Sequence, residues 1–107
     1  MKIRKTTYKI GTTEGIREQT GSVGYHFPFM VHREKGARVW RISHIATGYK
    51  IRDILYVKEA RALVKQLSRF SVFLMPTIET WTKALQNLRL NNPKEYEELI
   101  KLVGCQK

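Results

Sequence analysis

The chain has one cysteine, Cys105. That excludes an internal disulfide and any cysteine-built zinc site, and it reads as a free thiol near the C-terminus, in keeping with a reducing cytoplasm. No apolar run approaches ~18 residues, so neither a transmembrane helix nor a membrane partner is expected. The start, MKIRKTTYKIGTTEG, is charged and lacks an apolar stretch, which argues against a secretory signal. There is no phosphate-cradling glycine loop, no Gly-x-Ser-x-Gly and no His-Glu-x-x-His. Acids are scarce as well: residues 1–75 hold 5 Asp and Glu, too few to suggest the clustered carboxylates of a two-metal nuclease. No catalytic residue, metal ligand or cofactor is therefore expected.

Positive charge is present instead, and it is uneven. Residues 1–75 carry 15 Lys and Arg against 5 acids, whereas residues 76–107 carry 5 against 4. Almost all of the net +11 thus belongs to the first part. At 107 residues the chain reads as one domain, 1–107, with a basic sheet-plus-helix portion (1–75) and a helical extension (76–107). A concentrated positive field on a small domain is the footprint of a polyanion partner, most often nucleic acid.

The spacing of apolar residues predicts an α+β fold: an antiparallel β-meander of three or four strands with one packing helix, followed by two C-terminal helices. Lys2 to Ile10 reads as a strand, and the glycine-dotted stretch Gly11 to Gly24 as a loop. From Tyr25 to Leu55 three strands alternate apolar and polar residues, with turns at Lys35-Gly36 and Thr47-Gly48. Two-residue turns would set Val31 opposite Trp40, Phe29 opposite Ile42 and Trp40 opposite Leu55. They would bury one face and leave Met30, His32, Val39, Arg41, Ser43, Ile45, Lys50, Arg52 and Ile54 on the other. That second face would be free of acids, with Asp53 on the core side. Lys58 to Phe70 predicts a helix with Ala60, Leu63, Val64 and Leu67 inward and Arg61, Lys65 and Arg69 outward. Residues 71–75 read either as more helix or as a short strand. Helices follow over Thr77–Leu90, with Trp81 in the core, and after Asn92, an N-cap with Pro93 and Glu95 behind it.

An acid-free basic face can hold phosphates while neighbouring aromatics accept bases. The expected contact residues are Arg41, Lys50, Arg52, His32 and Ser43 on the sheet, with Lys2, Arg4, Lys5 and Lys9 beside them. Tyr8, Tyr25 and Tyr56 are the candidate stacking platforms. His44, set among apolar residues, reads as a hydrogen-bonded core histidine. His32 has the chemistry of a general acid or base, but its nearest companion of like parity, His26, lies about 20 Å away along a strand, too far to share a proton.

The pattern Val39-Trp-Arg-Ile-Ser-His-Ile-Ala-Thr-Gly-Tyr-Lys-Ile, followed by Lys58-Glu-Ala-Arg-Ala-Leu-Val-Lys-Gln-Leu, resembles two DNA-binding families in outline. One is the Whirly and transcriptional-coactivator-like single-stranded-DNA-binding fold, a curved sheet followed by a helix. The other is the Arm-type domain of tyrosine recombinases, whose three-stranded sheet enters the major groove. The likeness covers about residues 25–70, and no individual residue role is carried over from it. The first family agrees better with the extra N-terminal strand and C-terminal helices. Together these features imply a non-catalytic nucleic-acid-binding protein, DNA before RNA, of the kind carried by phages, plasmids or other accessory elements, with the C-terminal helices available for self-association. The alternatives are an interaction module or inhibitor that docks on an acidic protein through Met30, Val39, Ile45 and Ile54, and a small nuclease or toxin using His32.

Overall fold

A computed structural model describes residues 2–12 and 14–103; Cys105 lies outside them. Five strands, β1 (Arg4–Thr12), β2 (Gly15–His26), β3 (Phe29–Glu34), β4 (Trp40–His44) and β5 (Lys50–Ile54), form one antiparallel sheet in sequence order. Helix α1 (Val57–Leu67), a 3-10 turn (Ser71–Leu74), α2 (Ile78–Asn91) and α3 (Pro93–Val103) follow. The class is α+β, with more strands than expected. No described helix is long and apolar enough to cross a membrane.

The extra strand is β2, which occupies most of the stretch that reads as a loop. Its residues are mainly polar and half of them are exposed, and the buried run Ser22–Gly24 does not alternate, so no period marks it; the backbone ladders to β1 and β3 hold it instead. Gly21 serves close approach rather than looping. A Cβ on Gly21 would lie 2.1 Å from the Arg33 carbonyl oxygen. Beside it the Lys35 amide donates to the Thr20 carbonyl at 2.9 Å.

Two registers also differ from expectation. Between β3 and β4 the partners are Val31 with Ile42 and Phe29 with His44. The turn closes from Ala37 N–H to Glu34 C=O at 2.9 Å, and Arg38 and Val39 then stay outside the ladder, so the register moves by two residues. A shift of two leaves every side chain on its face. Between β4 and β5 the change is one residue: Ser43 pairs with Lys50 but Ile42 with Arg52, and Ile51 is the bulge between them. An odd shift inverts the faces beyond it. Ile54 therefore joins the core opposite Trp40, Arg52 turns to the helical side, and Asp53 comes to lie opposite Arg41.

On the helical face, Phe29, Val31, Trp40 and Ile42 meet Ala60, Leu63, Val64 and Leu67 of α1. That helix stops at Leu67, and the chain turns extended at Phe70, which still buries its ring. Residues 71–74 are a 3-10 turn that adds Val72 and Phe73 to the core. Thr77 caps α2 by accepting the Thr80 amide at 3.2 Å. Asn92 caps α3, accepting the Glu95 amide at 3.3 Å while its own amide donates to the Glu95 carboxylate at 2.9 Å. His44 is fully buried, as its neighbours suggest. Its Nε2–H donates to the Phe73 carbonyl, so Nδ1 accepts from the Thr47 hydroxyl at 2.8 Å, and the ring stacks on Trp81 at 5.0 Å.

The other face is not a flat solvated surface. The sheet coils until Gly11 at the end of β1 touches Gly48 in the β4–β5 loop. Inside the curl Tyr8, Val23 and Met30 form a second small core, with Ile10 beside it.

Candidate nucleic-acid interface

The coil and the bulge together rearrange the expected contact face. Arg41 Nε donates to Asp53 Oδ1 at 2.9 Å, and Lys50 Nζ reaches Oδ2 at 3.4 Å. Burial by itself would raise the Asp53 carboxyl. The Arg41 hydrogen bond and charge outweigh it, with Lys50 helping, and hold the group below its ordinary value. Two of the expected cations are thus paired to one acid, and the face is not acid-free. Arg52 is on the opposite side, its Nη1 donating to the Leu102 carbonyl at 3.1 Å. It braces α3 against β5 and has no place beside Arg41.

His32 and Ser43 are 3% and 4% exposed, which removes them from the contact surface. They belong to a chain of hydrogen bonds whose direction follows from its far end. The Tyr8 hydroxyl donates to Gln19 Oε1 at 3.0 Å. It then accepts from His32 Nδ1–H at 3.4 Å, and His32 Nε2 accepts the Ser43 hydroxyl proton at 2.9 Å. Desolvation and, after it, the charge of Arg41 lower the His32 pKa to about 4, against a smaller opposite pull from Asp53. Burial, with Glu34 and Tyr25 adding to it, pushes the Tyr8 hydroxyl up to about 12. The network is neutral at pH 7.

Lys2, just ahead of β1, and Arg4, Lys5 and Lys9 within it are exposed. Strand alternation separates them. Arg4 points to the concave side with its partner Val23, whereas Lys5 shares the helical side with Ser22, and Ser22 with Arg33. Helix α1 packs on β3, β4 and β5, so this row of β1, β2 and the end of β3 lies beyond the helical layer. There Lys5, Arg33 and Lys35 line an open groove of about 770 Å³ with the hydroxyls of Thr7, Thr20 and Ser22. Thr7 Oγ1 and Thr20 Oγ1 are 3.2 Å apart, and the Arg33 guanidinium lies 4.7 Å above the Trp40 ring. Glu34 also borders the groove, with Arg17 at 4.0 Å from its carboxylate. Among the described residues, none of the three groove cations has a carboxylate within ion-pair distance.

Sequence reasoning found Lys5 but missed Arg33 and Lys35, because their setting depends on β2 being a strand. The usable signal is Thr20 and Ser22 spaced two apart, followed by Arg33 and Lys35 at the same spacing. Of the stacking candidates, Tyr8 is buried, while Tyr25 and Tyr56 are 55% and 61% exposed. Among the described residues no three His, Cys, Asp or Glu side chains are placed to hold a metal ion. The chain matches no protein-family model, no curated protein and no solved structure.

Proposed function

We propose that this protein binds nucleic acid without catalysis, holding the phosphate backbone in the Lys5–Arg33–Lys35 groove. The observation that carries the reading is the groove's lining: three cations outside ion-pair distance of any described carboxylate, hydroxyl groups, and a single acid, Glu34, near Arg17, on sheet beyond the main packing of α1. Cations attract phosphates and release their counterions, hydroxyls donate to phosphate oxygens, and Arg33 has its planar fork already oriented by Trp40. The uneven charge of the chain supports the same class of ligand. Burial of His32 and Ser43 in a neutral network supports a role without chemistry. DNA is the first ligand to examine and the cytoplasm the expected compartment, on the composition and the outline likeness of residues 25–70.

Fluorescence anisotropy with labelled single-stranded DNA, duplex DNA and RNA at two salt concentrations tests this. The triple change Lys5→Gln, Arg33→Gln and Lys35→Gln is expected to weaken binding and to lower the log–log salt slope by about two units for a single strand. Neutralising Lys83, Lys94 and Lys101 removes equal charge from the helical extension and should cost far less. Equal losses from both triplets would mean that net charge alone attracts the ligand.

A further inference from the structure

The groove is not the only depression along β1. On the concave face a second cleft of about 410 Å³ opens between β1 and the β4–β5 loop. Its floor is formed by Tyr8, Met30 and Ser43, and Lys9, Tyr25 and Ile45 stand around it. The backbone contact of Gly11 with Gly48 lies at the same place and ties the two sides together. The volume is that of a small-molecule site, far too small for a duplex.

We infer that this cleft receives one unpaired base, and hence that the ligand of the groove is a single strand; the inference rests on the reading above. The floor suits a base and not a phosphate. It is aromatic and aliphatic, and its polar groups are neutral. Tyr25, half in solvent, supplies an aromatic ring at the rim. The Ser43 hydroxyl proton is committed to His32 Nε2, which leaves the Ser43 oxygen as an acceptor. Ser43 is 4% exposed, so it shapes the floor beneath the base and is not a contact of its own.

The two depressions lie on opposite sides of β1, which is the edge strand of the sheet. Thr7 borders both the groove and the cleft. Lys5 and Lys9 flank it on the same strand face, each about 7 Å away at the rise of a strand. A single strand crossing this edge can therefore keep phosphates near Lys5 and Lys9 on one side and turn a base over the edge into the cleft on the other. A paired base is held in its stack and cannot make that turn without being extruded. Stacking on an aromatic ring tolerates any base, so the cleft would select strandedness more than sequence.

The experiment compares three labelled ligands of equal length: a single-stranded DNA, the same strand with its bases removed, and a duplex. The unaltered protein is expected to bind the base-bearing strand about tenfold or more tightly than the abasic strand. Tyr25→Ala should abolish most of that preference, losing about tenfold on the base-bearing strand and nothing on the abasic one, and Tyr25→Phe should restore it. Tyr25 is exposed, so neither change removes core packing; thermal melts confirm that the variants remain folded. The groove variant Lys5→Gln with Lys35→Gln should weaken both single strands alike. Equal binding of the two strands by the unaltered protein, or a Tyr25→Ala loss shared equally between them or absent, would overturn the base cleft while leaving the phosphate groove standing. Failure of the unaltered protein to bind any of the three at low salt would overturn both.

Discussion

Gly11 and Gly48 meet backbone to backbone: a Cβ on Gly48 would lie 2.7 Å from the Gly11 Cα, and one on Gly11 would lie 3.0 Å from the Gly48 Cα. Residues near opposite ends of the five-stranded sheet are thereby brought into contact, and Tyr8, Val23 and Met30 are enclosed beneath them. A Cβ at Gly48 would force the two backbones apart, and one at Gly11 would require the Gly48 backbone to give way.

Gly48→Ala is accordingly expected to destabilise the protein by about 1–3 kcal/mol. Part arises because Gly48 has a φ of +75°, where a Cβ is disfavoured. The rest comes from the collision with Gly11. Chemical denaturation measures the loss, and hydrogen exchange should show the amides of β1 losing protection before those of β3 and β4. Uniform loss of protection would show that the contact does not hold the curl by itself.

Asp53→Asn removes the charge that neutralises Arg41 and Lys50. The ion pairs are partly exposed and add little to stability. The expected effect is therefore on binding: affinity for a polyanion such as heparin should rise, together with the steepness of its salt dependence, with little change in melting temperature. Affinity that stays constant while the fold is intact would place Arg41 and Lys50 outside the reach of the ligand.

These features were unequally legible from the residues. The three strands within Phe29–Ile54, the helices and the Asn92 cap were readable because hydrophobic period and capping chemistry are local, although Tyr25 and His26 end β2 and Phe27 stands exposed in the turn before β3. The β3–β4 faces survived a wrong turn length because the shift was two residues. A single bulge at Ile51 inverted β5, and with it the positions of Asp53, Arg52 and Ile54, since parity has no tolerance for one extra residue. β2 left no mark because a mainly polar, half-exposed strand is held by its backbone, which every sequence shares. The burial of His32 and Ser43 was hidden for another reason. It depends on the coil of the sheet over Tyr8, a tertiary event set by a contact between Gly11 and Gly48, 37 residues apart in sequence.

That buried network carries a prediction of its own for pH. His32 Nε2 accepts the Ser43 proton and Nδ1 donates to Tyr8, so the neutral ring has both nitrogens engaged. Protonation would turn the acceptor into a donor facing a hydroxyl, within a desolvated site close to Arg41. The folded pKa is lowered to about 4, whereas the unfolded chain titrates near 6.5. Between those values the unfolded state binds the proton and the folded state resists it, so stability rises with pH. The contribution is fully present above pH ~6.5, is lost as pH falls toward ~4, and amounts to about 3 kcal/mol at most. Asp53, with its depressed pKa, contributes above the unfolded carboxylate value of ~3.9 and is lost below it, so the two groups act in separate windows. Urea denaturation at pH 7, 5.5 and 4 should show a decline in this range for the native protein. His32→Gln should be less stable at pH 7, because the network is broken, yet nearly flat from pH 7 to 4. An unchanged slope in that variant would assign the decline to other groups and remove His32 as the titrating element.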